Sequence, residues 1–208
     1  MCEDVRLVPV FLKLAGRRVL VVGGGPMAAS KLQPLVEAGA AVTVVAPEVV
    51  PAIEQAGVAW VRRDFEAGDL DGVWFVVAAA TPEVNREVAR AAEARRIFVN
   101  AVDDPRNATA YAGGTLRRAG VTVAVSTGGE APALAGLLRE ALEALLPDDL
   151  GAWMATARAE RRQWMADGVP MASRRPRLLD ALNRLYDEAR GSAAGYRSAD
   201  VGAAGEER

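Results

Sequence analysis

The sequence predicts an α/β protein with a doubly wound parallel sheet, followed by a small α+β region and a C-terminal helical domain. Three observations predict it. Short β-branched runs alternate with Ala-rich segments through the first half of the chain. A Gly-rich turn joins the first such run directly to the first helical segment. After Pro105 the alternation gives way to a single strand and helices with apolar stripes.

The expected strands are residues 18–22, 41–45, 59–62, 73–78 and 97–100, runs of Val, Ile and other apolar residues of the kind that is buried on both faces of a parallel sheet. Between them, residues 27–38 and 83–95 are rich in Ala and other helix-tolerant residues. Pro34 falls inside the first of these helices, where it deletes a backbone donor at a cost of roughly 3 kcal/mol and predicts a kink. Beyond the Gly-rich stretch Ala112-Gly113-Gly114 come a strand at 121–125, the turn Ser126-Thr127-Gly128-Gly129 and a helix over 132–146. Leu134, Leu137, Leu138, Leu142 and Leu145 give that helix one apolar stripe, with Pro132 in its first turn and Pro147 at its end. One strand and one helix are too small to enclose a core, so a second copy of the chain is expected to cover the stripe. A helix from Asp148 stops at Gly168 and Pro170, and another, carrying Leu178, Leu179, Leu182, Leu185 and Tyr186, ends at Gly191. The domain division is therefore 1–112, 113–147 and 148–191, with 192–208 an aperiodic, disordered tail.

Of 208 residues, 51% are hydrophobic, enough for a core, and the formal charge of −2 argues against non-specific binding to nucleic acid or acidic membranes. No run reaches membrane-spanning length, and the acidic start Met1-Cys2-Glu3-Asp4 does not read as a secretory leader, so a cytoplasmic location is expected. With one cysteine and no histidine, an internal disulfide, a Cys-His metal cage and the Ser-His and Cys-His nucleophile pairs are excluded. No metal site is expected, and proton transfer falls to a carboxylate, Lys, Tyr or hydroxyl group.

The run Val19-Leu20-Val21-Val22 leads into Gly23-Gly24-Gly25-Pro26-Met27-Ala28, a dinucleotide-binding fingerprint with Ala in its last place. Gly23 permits the tight turn, Gly25 lets the main chain approach a diphosphate, and Ala28 lets helix pack on strand. The alternative is a Gly-rich turn without a ligand. Glu48, after Val45-Ala46-Pro47, follows at roughly the distance expected of the carboxylate that holds the ribose hydroxyls, and no Arg adjoins it in sequence. NAD is therefore expected rather than NADP.

Together these residues resemble the precorrin-2 dehydrogenases, which also form the N-terminal part of siroheme synthases. The resemblance runs over roughly residues 7–190. It rests on the stretch from Pro9-Val10-Phe11-Leu12 to the glycine loop, on Val42-Thr43-Val44-Val45-Ala46-Pro47 and on Val84-Asn85. More specific are Arg96-Ile97-Phe98-Val99-Asn100-Ala101-Val102-Asp103-Asp104-Pro105 and the run from Val123 to Ala135 containing Ser126-Thr127-Gly128-Gly129-Glu130. It implies oxidation of precorrin-2 to sirohydrochlorin with hydride passing to NAD, in some members ferrous iron insertion, and a homodimer. The separate methyltransferase domain of multifunctional members needs a longer chain and is not expected.

Asp103 occupies the family's functional carboxylate position, beyond the carboxyl end of a strand. The competing reading is that Asp103 and Asp104 only shape a turn before Pro105. Pro47, Ala79 and Thr81 join the glycine loop on the cofactor side. Thr127 and Gly128, at a helix start whose amides attract anions, are assigned to the polycarboxylate substrate, against a reading as ordinary helix capping. Lys31 and Arg118, and with them Arg117 and Arg139, suit substrate carboxylates, against a reading as solvated surface charge.

The chain departs from the family at Thr109-Ala110-Tyr111-Ala112-Gly113-Gly114, where an aromatic followed by Pro is usual, and at Ala78-Ala79-Ala80-Thr81-Pro82-Glu83, one residue shorter. Met27 and Ser30 stand where Val and Arg are commoner. Two other readings are a bifunctional dehydrogenase and ferrochelatase, and a relative that binds NAD or tetrapyrrole without turnover.

Overall fold

The computed structural model describes residues 7–199, with side chains through residue 186. Five strands, β1 (Arg18–Val22), β2 (Ala41–Val45), β3 (Ala59–Val61), β4 (Phe75–Ala78) and β5 (Phe98–Ala101), form one parallel sheet in the order β3-β2-β1-β4-β5. The order reverses beside β1, the switch point at which such sheets bind ligands. This is the doubly wound Rossmann architecture that the sequence predicts.

Helices α1 (Pro26–Glu37), the short α2 (Pro51–Glu54) and α3 (Pro82–Glu93) cover the sheet. Because side chains alternate along a strand, β1 sends Val19 and Val21 to one face and Leu20 and Val22 to the other, all buried. Ala28, Leu32 and Leu35 of α1 and Ile53 of α2 close the first face. Val88 and Ala92 of α3, with Phe65 and Leu70, close the second. Each large apolar side chain so buried contributes about 1.5–3 kcal/mol. Helix α1 continues through Pro34 to Glu37.

Three strand boundaries shift. β4 starts at Phe75, after the Val73 amide turns back to the Leu70 carbonyl, and β5 starts at Phe98 because the Ile97 amide closes α3 through Ala92. β3 ends at Val61, one residue early. A strand beyond the expected ones, β6 (Gly114–Arg118), pairs with β7 (Val121–Val125) through the two-residue turn Ala119-Gly120. Both turn residues have positive φ, as a tight hairpin requires, but Ala rarely adopts it and carries no turn signal. Helix α4 (Pro132–Leu145) follows.

The chain divides into two compact units, one comprising residues to Gly114 with Ala124–Leu138, the other Thr115–Val123 with residues from Arg139 onward. The second contains α5 (Leu150–Ala166) and α6 (Met171–Ala199), separated by the Gly168 and Pro170 break. Trp153 of α5 donates to the Tyr186 hydroxyl of α6 at 2.9 Å, and the rings meet edge to face. α6 runs past Gly191, where a stop was expected, to Ala199. The Ala residues at 193 and 194 favour helix, and an internal glycine costs only about 1 kcal/mol. Residues 200–208 of the expected tail lie outside the described residues.

Candidate active site

The glycine loop is shaped by two close backbone approaches. Gly23 has φ +119°, and a Cβ there would stand 2.2 Å from the Ala79 carbonyl oxygen. A Cβ on Gly24 would stand 1.8 Å from the carbonyl oxygen of Glu48. Gly24 in turn accepts from the Val50 amide at 2.8 Å, locking the β2–α2 loop onto the turn. Around Gly25 nothing lies within 4 Å of a built Cβ. Gly25 is the N-cap of α1 and no side chain caps that helix, so its first-turn amides have no acceptor within the helix. An uncapped helix start behind an open glycine fits the diphosphate of a dinucleotide.

Around this turn stand the other expected cofactor residues. Pro47 and Glu48 are exposed at the end of β2. The fold also brings an arginine here that sequence adjacency did not reveal: Arg62 donates to the Pro47 carbonyl at 3.3 Å. Thr81 is the N-cap of α3, its hydroxyl accepting from the Val84 amide at 3.5 Å. Asn85, buried, accepts from the Ala80 amide at 3.0 Å and pins the β4–α3 loop. In the first turn of α3 the Glu83 carboxyl is held below the usual carboxylate range, chiefly by its own backbone N–H and then by Arg86.

A cavity of about 370 Å³ opens beyond the carboxyl end of β5, with Met27, Lys31, Asp103, Tyr111 and Thr127 in its walls. Met27, two residues after Gly25 in the first turn of α1, links the two parts. The Asp103-Asp104 pair divides its work. Asp104 starts a one-turn helix at Pro105–Asn107 and accepts from the Asn107 amide group at 2.7 Å. Asp103 is exposed, has no hydrogen-bond or ion-pair partner among the described residues, and adopts φ +55°. Both aspartates therefore serve the turn, Asp104 through its carboxylate and Asp103 through its left-handed backbone, while the Asp103 carboxylate itself is left exposed. Lys31, half-buried on α1, likewise has no partner among the described residues.

At the start of α4 the expected amide cradle is largely filled by the chain itself. The Gly128 amide donates to Ser126 Oγ at 3.2 Å, the Ala131 amide to Thr127 Oγ1 at 3.1 Å and the Glu130 amide to the Thr127 carbonyl at 3.1 Å. Gly128, with φ +64°, is not in the cavity wall. Because the Thr127 hydroxyl caps by accepting, its proton remains available to donate. Gly129 packs on the Tyr111 ring, whose hydroxyl donates to the Pro105 carbonyl, so the atypical 109–114 stretch forms one wall of the cavity.

Arg118 is committed to a helix end. It belongs to the second unit, where its guanidinium donates to the carbonyls of Leu146 and Pro147. The carbonyls that end a helix lack intrahelical donors, and a nearby arginine is drawn to them. Asn100 is a cavity residue to which the sequence analysis assigns no role; a polar side chain ending an otherwise apolar strand is the signal that marks it.

Residues 10–114 match the model of a putative NAD(P)-binding family, and residues 118–145 match that of the central region of sirohaem biosynthesis proteins. Siroheme synthase 3 of Aeromonas hydrophila subsp. hydrophila is 42% identical over 195 residues, covering 90% of this chain and 42% of that protein. Siroheme synthase of Methylobacillus flagellatus is 44% identical over 161 residues, covering 75% and 34%. The chain therefore spans 42% or less of the length of these curated relatives. Among solved structures, SirC, a precorrin-2 dehydrogenase, is similar with a TM-score of 0.66 at 26% identity, covering 84% of this chain and 88% of that one.

Proposed function

The chain belongs to the NAD(P)-binding family of siroheme synthases and precorrin-2 dehydrogenases, and from that membership we propose that it oxidises precorrin-2 to sirohydrochlorin with NAD. The observation that carries the proposal is Asp103: an exposed carboxylate without a partner among the described residues, in a cavity that shares Met27 with the glycine loop.

The amides of Gly24, Gly25, Met27 and Ala28 would hold the diphosphate, with Gly23, whose own amide donates to the Val45 carbonyl, setting the turn and Pro26 starting α1. Glu48 would accept from the ribose hydroxyls, and Pro47, Ala79 and Thr81 would border the cofactor. NAD, when bound, supplies the hydride acceptor. One hydrogen leaves the macrocycle with two electrons as hydride and a second leaves as a proton, so one ring bond is desaturated and NADH and H⁺ are formed. The Asp103 carboxylate takes that proton. Lys31 and the Thr127 hydroxyl hold substrate carboxylates, with Gly128 shaping the turn that presents Thr127.

The same reading makes the protein a cytoplasmic homodimer. Leu134, Leu137 and Leu145 of α4 are 49%, 64% and 78% exposed, an apolar stripe that a second copy would cover. Residues 1–112 bind the cofactor, 113–147 dimerise and 148–191 form a helical domain.

The test is to give the protein precorrin-2 and NAD without oxygen, follow NADH by absorbance, and then add Fe²⁺ or Co²⁺. NADH formation supports the proposal, and metal insertion in the second stage adds the chelatase reading. Ligand binding without NADH overturns dehydrogenase activity in favour of a binding protein.

A further inference from the structure

Asn100 is 7% exposed at the carboxyl end of β5, yet it lines the cavity. Its amide nitrogen donates to the Ala110 carbonyl at 3.0 Å, and its buried side-chain oxygen has no hydrogen-bond partner among the described residues. The orientation is not arbitrary. A backbone carbonyl only accepts, so the NH₂ group must face Ala110 and the oxygen must face away from it. A buried carbonyl oxygen left without a donor is costly, and native structures rarely keep one without a use.

Its neighbours in the sheet cannot satisfy it. β4 presents Val77 opposite Asn100, and the adjoining residues Ala101 and Val102 are apolar. The charged residues in the walls of the same cavity are Lys31, on α1, and Asp103 and Asp104, of which Asp104 is taken up by Asn107. A carboxylate accepts rather than donates, so Asp103 repels a second acceptor group and favours a donor lying between the two.

We propose that Asn100 is a positioning residue whose fixed side-chain oxygen accepts a hydrogen bond from an N–H of the bound ligand, and so sets that ligand's depth and face relative to Asp103. This rests on the dehydrogenase reading above. Two N–H groups have the required chemistry, a pyrrole N–H of the tetrapyrrole and the carboxamide of the nicotinamide. Either one, held by Asn100, orients a planar ring at the end of β5. An acceptor alone tells an N–H from an unprotonated or alkylated nitrogen, so the residue also confers specificity.

The experiment compares the wild-type protein with Asn100→Ala and Asn100→Leu, reading the dissociation constants of NAD, of its 3-acetylpyridine analogue and of sirohydrochlorin with and without one N-methyl group. Where an N–H is held, wild-type protein discriminates by roughly tenfold against the ligand that lacks it, and both variants lose that discrimination. Loss confined to the pyridine pair assigns the nicotinamide carboxamide; loss confined to the tetrapyrrole pair assigns the pyrrole N–H. If wild-type protein binds each pair equally, the proposal is overturned, and because that arm needs no substitution, misfolding of a variant cannot mask it. NADH formation by the wild-type protein is measured in parallel. Its absence overturns the dehydrogenase reading, whereas turnover without N–H discrimination overturns only the role of Asn100.

Discussion

The Cα of Gly24 packs against the carbonyl oxygen of Glu48, so closely that a Cβ on residue 24 would stand 1.8 Å from it. Neighbouring Gly25 meets nothing within 4 Å. Gly24→Ala must therefore displace the loop that carries Glu48, the proposed ribose ligand, lowering stability by about 1–3 kcal/mol and weakening NAD binding together. Gly25→Ala should leave the melting temperature nearly unchanged while still weakening NAD, because only the ligand needs that space. Equal melting temperatures for the two variants, with equal NAD affinities, would remove the distinction.

Asp103 holds φ +55°, a conformation that Asn tolerates as well as Asp but that strains Ala. Asp103→Asn is thus the informative substitution, and it should lower turnover by about a hundred- to ten-thousand-fold with NAD affinity unchanged. Unaltered kcat in a correctly folded Asp103→Asn protein would return both aspartates to turn shaping.

Asp69 receives Arg63 at 2.6 Å and the Glu66 amide at 2.9 Å, and the arginine hydrogen bond above all holds its carboxyl below the usual range. A depressed folded-state value means that the contribution to stability is complete above the unfolded value and lost as pH falls through the folded one. Asp69→Asn should melt below wild type at neutral pH, and the gap should close from about pH 4 downward. A gap that is constant across that range would assign the effect to packing instead.

Arg118 caps the end of α4 through Leu146 and Pro147. Arg118→Ala should cost about 1 kcal/mol of stability and leave tetrapyrrole affinity alone. A fall in sirohydrochlorin affinity with little change in stability would restore the substrate role that sequence suggests for it.

Leu137 is 64% exposed in the middle of the α4 stripe. Leu137→Glu should halve the mass measured by sedimentation while leaving helix content intact, since a charge there is harmless in a monomer and buried in a dimer. A wild-type protein that sediments as a monomer at all concentrations would end the homodimer proposal.

Much of the first unit is legible from local pattern. The apolar run 18–22 becomes a strand buried on both faces, and the glycine turn with its Ala28 becomes an open helix start, because periodicity and glycine content act within a few residues. β6 escapes notice because Gly-Thr-Leu-Arg-Arg lacks an alternating apolar face and its turn uses Ala at positive φ. From sequence alone came the layer order, the Gly23–Gly25 cradle and Asp103 as the carboxylate to watch. Tertiary structure alone decided that Gly24 meets Glu48, that Arg62 reaches Pro47, that Arg118 caps α4, and that cavity-lining Asn100 keeps a buried oxygen unpaired among the described residues. Such contacts join groups 10 to 29 residues apart in the chain, as Asn100 to Ala110 and Arg118 to Pro147. Their partners are chosen by strand register and helix placement, which no local propensity encodes.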